Sequence, residues 1–274
     1  VSGSRGNRRR VPQDLCGTLL KRRGLKVAEK IVYQRPKSWI EGVHSHYCPG
    51  CTHGIIHRML CETLDELDIQ DITTGVAPVG CAALMYGYID TDFIEAPHGR
   101  APAVATGFKR IRPDRLIFTY QGDGDLASIG MAEIVHAANR SENITVIFVN
   151  NAIYGMTGGQ MAPTTLLGQK TTTTQSGRDP LRAGYPIRMS ELLASLASPC
   201  YIERVSAAKP SHLNGLKKAI RKAFKNQMEN KGFSFVEVLS TCPTNWGMRP
   251  TDACDWLVNN MIPYYPLGVF KDFE

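Results

Sequence analysis

Apolar positions three and four apart at Ile55, Ile56, Met59, Leu60 and Leu64 predict a helix over 55–64. The segment 75–87 reads as strand, turn and helix, with Cys81 at the turn. A helix of small residues follows over 99–109, then a short apolar strand over 115–120. Leu126, Ile129, Ile134, Val135 and Ala138 fit one face of a 3.6-residue period and predict a helix over 126–139. The unbroken β-branched and aromatic run 144–149 is what a strand buried on both faces requires. Strand, helix and strand at this spacing form a crossover unit, so the two strands run parallel.

Beyond Asn151 the pattern changes. Residues 152–186 are rich in Gly, Thr and Pro and weakly periodic. A stretch of that length inside a compact domain is usually a lid or a partner-contact segment. Alternation resumes with a helix at 190–196, a strand at 201–205, a basic helix at 211–230 and a strand at 233–239 that runs into Thr241-Cys242-Pro243. The fold class is α/β, a mostly parallel sheet flanked by helices. The core domain is expected over 38–245, between a basic, poorly ordered extension at 1–37 and a C-terminal extension at 246–274.

Charge and composition narrow the function classes. The net charge of +7 sits in the first 37 residues, where eleven Lys or Arg face only Asp14 and Glu29. A basic tail on a near-neutral body is either a solvated segment or a contact for nucleic acid or an acidic partner. Its arginines also leave room for a transit peptide. The body has no interleaved basic and aromatic stripe, which argues against nucleic-acid binding. No run of eighteen apolar residues is present, so no membrane span is expected. Eight cysteines without a signal-like apolar stretch argue for thiolate metal ligation or redox chemistry in a reducing, cytoplasmic setting rather than a disulfide scaffold.

Gly122-Asp123-Gly124-Asp125 stands where a strand ends and a helix begins, and Asn150-Asn151 ends the next strand. Ligands of open α/β sheets bind at the carboxyl ends of strands, so Asp123 and Asn151 are placed to face one rim. A carboxylate and a carboxamide oxygen suit Mg²⁺, which takes hard oxygen ligands and lets phosphates complete its octahedron. The two glycines allow close backbone approach to a diphosphate, and the helix start aims free N–H groups at it. A lone Gly-Asp-Gly is also ordinary turn chemistry; the paired asparagines favour the metal reading.

Cys48-Pro49-Gly50-Cys51, Gly80-Cys81 and Cys242-Pro243 all fall in turns. The first pair taken alone fits a redox dithiol, half of a zinc site or half of a cluster site. From His46 to Pro243 the chain resembles the β subunits of 2-oxoacid:ferredoxin oxidoreductases, with motifs in family order: Cys-Pro-Gly-Cys, Gly-Cys, His98-Gly99-Arg100, Gly-Asp-Gly-Asp, Asn-x-x-Tyr-Gly with Thr-x-Gly-Gln, and Cys-Pro-Thr.

That resemblance implies a thiamin-diphosphate-binding (PP-type) fold. It implies Mg²⁺ on Asp123, Asn151 and the Ile153 carbonyl, and a [4Fe-4S] cluster on Cys48, Cys51, Cys81 and Cys242. His98, as a catalytic residue, would contact thiamin diphosphate together with Gly80, Cys81, Ala82, Gly124, Asp125, Gly155 and Met156. It further implies oxidative decarboxylation of a 2-oxo acid to acyl-CoA and CO₂, with electrons leaving through the cluster to ferredoxin. An α subunit would supply the pyrimidine half of the site, and further ferredoxin-like subunits can join. Ala83, Leu84 and Met85 stand where relatives acting on 2-oxoglutarate place a basic residue, so the chain looks most like branched-chain members acting on 3-methyl-2-oxobutanoate. The alternatives are the same reaction on 2-oxoglutarate or pyruvate, or a thiamin-dependent decarboxylase or synthase without electron transfer. Cys16, Cys61, Cys200 and Cys254 have no counterpart in the motifs, and His44, His46, His53, His57, His136 and His212 read as packing or surface residues.

Overall fold

Runs buried almost throughout become the interior strands. In the computed structural model, which describes residues 34–273, they are β1 (Thr73–Ala77), β3 (Leu116–Gly122), β4 (Thr145–Asn150), β5 (Tyr201–Ser206) and β6 (Ser234–Leu239). Two further strands, β2 (Asp92–Glu95) and β7 (Gly268–Asp272), lie at the edges, and the order is β2-β1-β3-β4-β6-β5-β7. All neighbours pair parallel except β5 and β7. The edge strands carry exposed residues and no sustained apolar run, so the pattern that marks a doubly covered strand is missing from them.

Helices cover both faces. The apolar stripe of α1 (His53–Leu67), with Ile56, Met59, Leu60 and Leu64 buried, packs with the later helix Pro210–Met228 on one face. Ala101–Ile111, Met131–Asn139 and Met189–Ala194 build the core of the other. The helix expected over 126–139 is interrupted. A π-helical turn at Asp125–Ile129 precedes Gly130, and the α-helix proper starts at Met131. The wide turn closes when the Gly130 N–H donates to the Asp125 carbonyl at 3.0 Å. It carries Ile129 off the buried stripe to 48% exposure. Such turns break the 3.6-residue period that sequence patterns rely on.

The C-terminal extension belongs to the same sheet. Leu257, Met261 and Tyr265 pack against Ala152, Leu166 and Leu239, and β7 then joins the edge. The basic extension lies outside the described residues except for its last four, 34–37. No described helix is long and apolar enough to cross a membrane.

Beneath the rim lies a buried ion pair. Arg204 and Glu237 have fully buried side chains 2.9 Å apart, and Arg204 also donates to Glu191 and to the Pro266 carbonyl. The approach to Glu237 is a charge contact rather than an aligned hydrogen bond. Glu237 in turn accepts from Ser190 at 2.6 Å and from Asn150 at 2.8 Å. Arg204→Ala would strand a buried carboxylate, so a stability loss of about 3–5 kcal/mol is expected in chemical denaturation. A loss below about 1 kcal/mol would show that water reaches Glu237.

Candidate active site

Four neighbouring strands, β1, β3, β4 and β6, end on one rim and place the motif residues there. Asp123 follows β3 and Asn151 follows β4, and their side chains share one donor. The Ile153 N–H donates to Asp123 Oδ2 at 3.2 Å and to Asn151 Oδ1 at 3.3 Å, so the two oxygens flank one point. Asp123 also accepts from Thr164 Oγ1 at 2.7 Å and from the Gly124 N–H at 3.1 Å. None of these donors is charged. Burial pushes the Asp123 carboxyl up to about 6, against the lowering effect of those donors. A cation would relieve that penalty.

The loop after β4 is held from three sides. The Asn150 amide donates to Glu237, and its oxygen accepts from the Ala152 N–H at 3.2 Å. Ala152 sits at φ 57°, a left-handed conformation that a non-glycine residue keeps only under such constraint. Trp246 Nε1 donates to the Asn151 carbonyl at 3.2 Å. Gly124 is required by space, because a Cβ there would lie 2.1 Å from the Tyr154 ring.

Asp125 organises the opposite wall. Its carboxylate accepts from His98 Nδ1 and Gln121 Nε2, each at 2.6 Å, from the Gly99 N–H at 2.9 Å and from the Val79 N–H at 3.3 Å. The bond fixes the His98 proton on Nδ1. Asp125 thereby ties the Gly80-Cys81 turn and the His98 turn to the start of the π-turn. These elements enclose a cavity of about 190 Å³.

Cys48, Cys51, Cys81 and Cys242 line a second cavity of about 200 Å³. The Cys48–Cys51 turn closes with the Cys51 N–H on the Cys48 carbonyl at 3.0 Å. It is tied to the end of β6 by Thr52 Oγ1 to Ser240 Oγ at 2.7 Å and by Thr241 Oγ1 to the Gly50 carbonyl at 2.9 Å. Gly50 adopts φ +78°, and a Cβ there would meet Pro250 at 2.4 Å. Burial, then the neighbouring thiols, pushes Cys51 up to about 11 and Cys81 up to about 12; burial also raises Cys242. Among the described residues no three His, Cys, Asp or Glu stand close enough to share a single metal ion. The two cavities share His53, Cys81, Asn151, Gly155 and Met156 as a common wall.

Residues 78–238 match the family model for the thiamine pyrophosphate enzyme, C-terminal TPP binding domain. The 2-oxoglutarate synthase subunit KorB of Methanocaldococcus jannaschii is 37% identical over 223 residues, which cover 79% of this chain and 78% of that one. The chain belongs to the 2-oxoacid:ferredoxin oxidoreductase family. This family member is also 50% identical over 228 residues, 83% of its length, to the ketoisovalerate oxidoreductase subunit VorA of Methanothermobacter thermautotrophicus, but spans only 48% of that relative. Its fold matches a solved 2-oxoglutarate:ferredoxin oxidoreductase from Magnetococcus marinus, with 2-oxoglutarate, coenzyme A and succinyl-CoA bound. The TM-score is 0.73 at 27% identity, covering 89% of this chain and 87% of that one.

In this family member the first cavity gathers Gly80, Cys81, Ala82, His98, Asp123, Gly124, Asp125, Asn151, Ile153, Gly155 and Met156. The second gathers the four motif cysteines, while Cys61 and Cys200 are buried elsewhere with their thiols toward the Ser38 and Phe233 carbonyls. Sequence reasoning passed over His53, which lines both cavities and bonds Tyr120 OH at 2.7 Å. Burial lowers it to about 4, so it is neutral at pH 7. His46 was also set aside, yet its Nε2 lies 2.8 Å from the Cys81 carbonyl. Thr164, in an irregular segment, and Asn245 and Trp246, on a single helical turn too short to show a period, complete the site.

Proposed function

We propose that this chain is the thiamin-diphosphate-binding β subunit of a 2-oxoacid:ferredoxin oxidoreductase. The assembly would convert a 2-oxo acid, coenzyme A and oxidised ferredoxin to acyl-CoA, CO₂ and reduced ferredoxin, with 3-methyl-2-oxobutanoate as the preferred substrate. The observation that carries the reading is the shared wall: the Asp123–Asn151 cavity and the four-cysteine cavity stand back to back.

The residues fit the groups the family implies. Asp123, Asn151 and the Ile153 carbonyl would hold Mg²⁺, and the buried carboxylate without a cationic partner is the feature that asks for one. Cys48, Cys51, Cys81 and Cys242 would hold a [4Fe-4S] cluster. Each cysteine of such a cluster takes a different iron, so no three ligands need meet at one ion, and metal cations would offset the repulsion among the thiolates. When bound, thiamin diphosphate supplies the carbanion chemistry of decarboxylation. This chain's part is to bind and orient. Asp123 and Asn151 would hold the metal and so orient the diphosphate end, Gly124 would let the backbone approach it, and Asp125 holds the oriented His98 at the wall. The remaining half of the cofactor site is assigned to an α subunit, with further ferredoxin-like subunits as additional partners. A reducing, cytoplasmic setting is supported by seven described cysteines, all unpaired.

The substrate preference rests on what lines the first cavity: it contains no Lys or Arg, and the turn after Cys81 continues with Ala83, Leu84 and Met85. A distal carboxylate finds no cationic partner on this chain's wall, whereas a branched apolar side chain loses nothing there. The likeness to a ketoisovalerate oxidoreductase subunit points the same way. In the assembled complex, kcat/KM is expected to be at least about tenfold higher for 3-methyl-2-oxobutanoate than for 2-oxoglutarate or pyruvate. A tenfold preference for either competitor would reassign the substrate.

A further inference from the structure

The turn that follows Cys242 lines the cysteine cavity and bonds the wall that this cavity shares with the first. Pro243–Trp246 forms one helical turn, and its Asn245 sits on the wall of the cysteine cavity. Asn245 Nδ2 donates to the Gly155 carbonyl at 2.8 Å and approaches Cys242 Sγ at 3.4 Å. A carboxamide nitrogen carries two hydrogens, so both contacts can be made at once. Gly155 lies between two of the thiols: a Cβ there would sit 3.0 Å from Cys81 Sγ and 3.7 Å from Cys242 Sγ. One amide therefore pins the wall common to both cavities and points an N–H at a cysteine sulfur.

We propose that Asn245 is a positioning residue that raises the reduction potential of the iron–sulfur cluster and locks the Gly155 wall between cluster and cofactor. The inference rests on the reading of the four cysteines as cluster ligands. Reduction adds negative charge to a cluster and its thiolates. An N–H directed at a ligand sulfur stabilises that charge, so hydrogen bonds to sulfur raise the potential. Asn245 is suited to the role because its amide is anchored at Gly155 rather than free to rotate. The potential of this cluster decides how readily electrons pass from the cofactor side to the acceptor, so the residue would tune that step without supplying a ligand.

The test is potentiometric titration of the assembled complex, monitored by electron paramagnetic resonance, on wild type, Asn245→Leu and Asn245→Asp. Leucine removes the side-chain donors at similar volume; aspartate removes them and adds a negative charge. Iron and sulfide are expected to stay at wild-type content. The midpoint is expected to fall in both variants and further in Asn245→Asp. Magnesium-supported thiamin diphosphate binding should weaken by less than about tenfold, because the Asp123–Asn151 pair is untouched. An unchanged or higher midpoint in either variant overturns the proposal. Loss of iron from both also overturns it, since the residue would then be holding the ligand turn together. A wild-type complex without iron and sulfide defeats the cluster reading itself, which separates the two failures.

Discussion

Asp123→Ala is expected to abolish magnesium-supported thiamin diphosphate binding by the assembled complex, with a loss of more than about 100-fold in affinity. Under the proposed reading the carboxylate would be a charged oxygen ligand at the point where Asn151 also presents its amide oxygen. Removing it also takes the acceptor from the Thr164 hydroxyl and the Gly124 N–H, while the Ile153 N–H keeps Asn151 Oδ1. Cofactor titration by calorimetry measures the effect, with iron content as the control for folding. Affinity within about threefold of wild type would remove Asp123 from the metal site.

The same carboxyl sets a pH dependence whose sign can be worked out. Burial raises it to about 6, above the ordinary carboxylate range. Between the two values the metal-free fold binds a proton that the unfolded chain does not, so this group makes the metal-free fold less stable as pH rises toward 6. Metal binding must displace that proton. Magnesium-supported cofactor affinity is therefore expected to be flat above about 6 and to fall about tenfold per pH unit below it.

How far the site was legible depended on whether its residues sit where regular pattern breaks. Asp123 and Asn151 were readable because each ends a doubly buried strand, and a crossover between parallel strands sends both ends to one rim. Cys81 and Cys242 were readable as turn cysteines beyond strand ends by the same logic. The pattern failed at Ile129, where a π-turn shifts the face by one residue, and at β2 and β7, which expose too much side chain to show an apolar run. The buried ion pair gave no signal at all. Arg204 and Glu237 are charged residues inside strands and pass for solvent-facing positions until the sheet order shows both faces covered. His53 bears on both cavities only because Cys51 and β3 meet in space; its partner Tyr120 is 67 residues away in the chain. Long-range contact of that kind leaves no trace in local periodicity.

Cys51→Ala is expected to remove the cluster while leaving the cofactor site in place. Cys51 lines the cysteine cavity and not the Asp123 cavity, so the two functions separate at this residue. The turn that carries it is anchored through Thr52 to Ser240 and through Gly50 to Thr241, contacts that the substitution does not touch. The fold should therefore survive. A cluster deprived of one thiolate ligand is expected to lose its iron during purification, and with it the visible absorbance. Substrate-dependent dye reduction should drop at least about 100-fold, because electrons have no acceptor beside the cofactor. Magnesium-supported thiamin diphosphate binding should stay within about threefold of wild type. Cys200→Ala is the control: its thiol is buried against the Phe233 carbonyl and Ser234, away from both cavities, and iron content should not change. Full iron content and colour in Cys51→Ala would exclude it as a ligand. Joint loss of cluster and cofactor would mean that the shared wall collapses when the cluster leaves, making the two cavities one structural unit rather than two sites side by side.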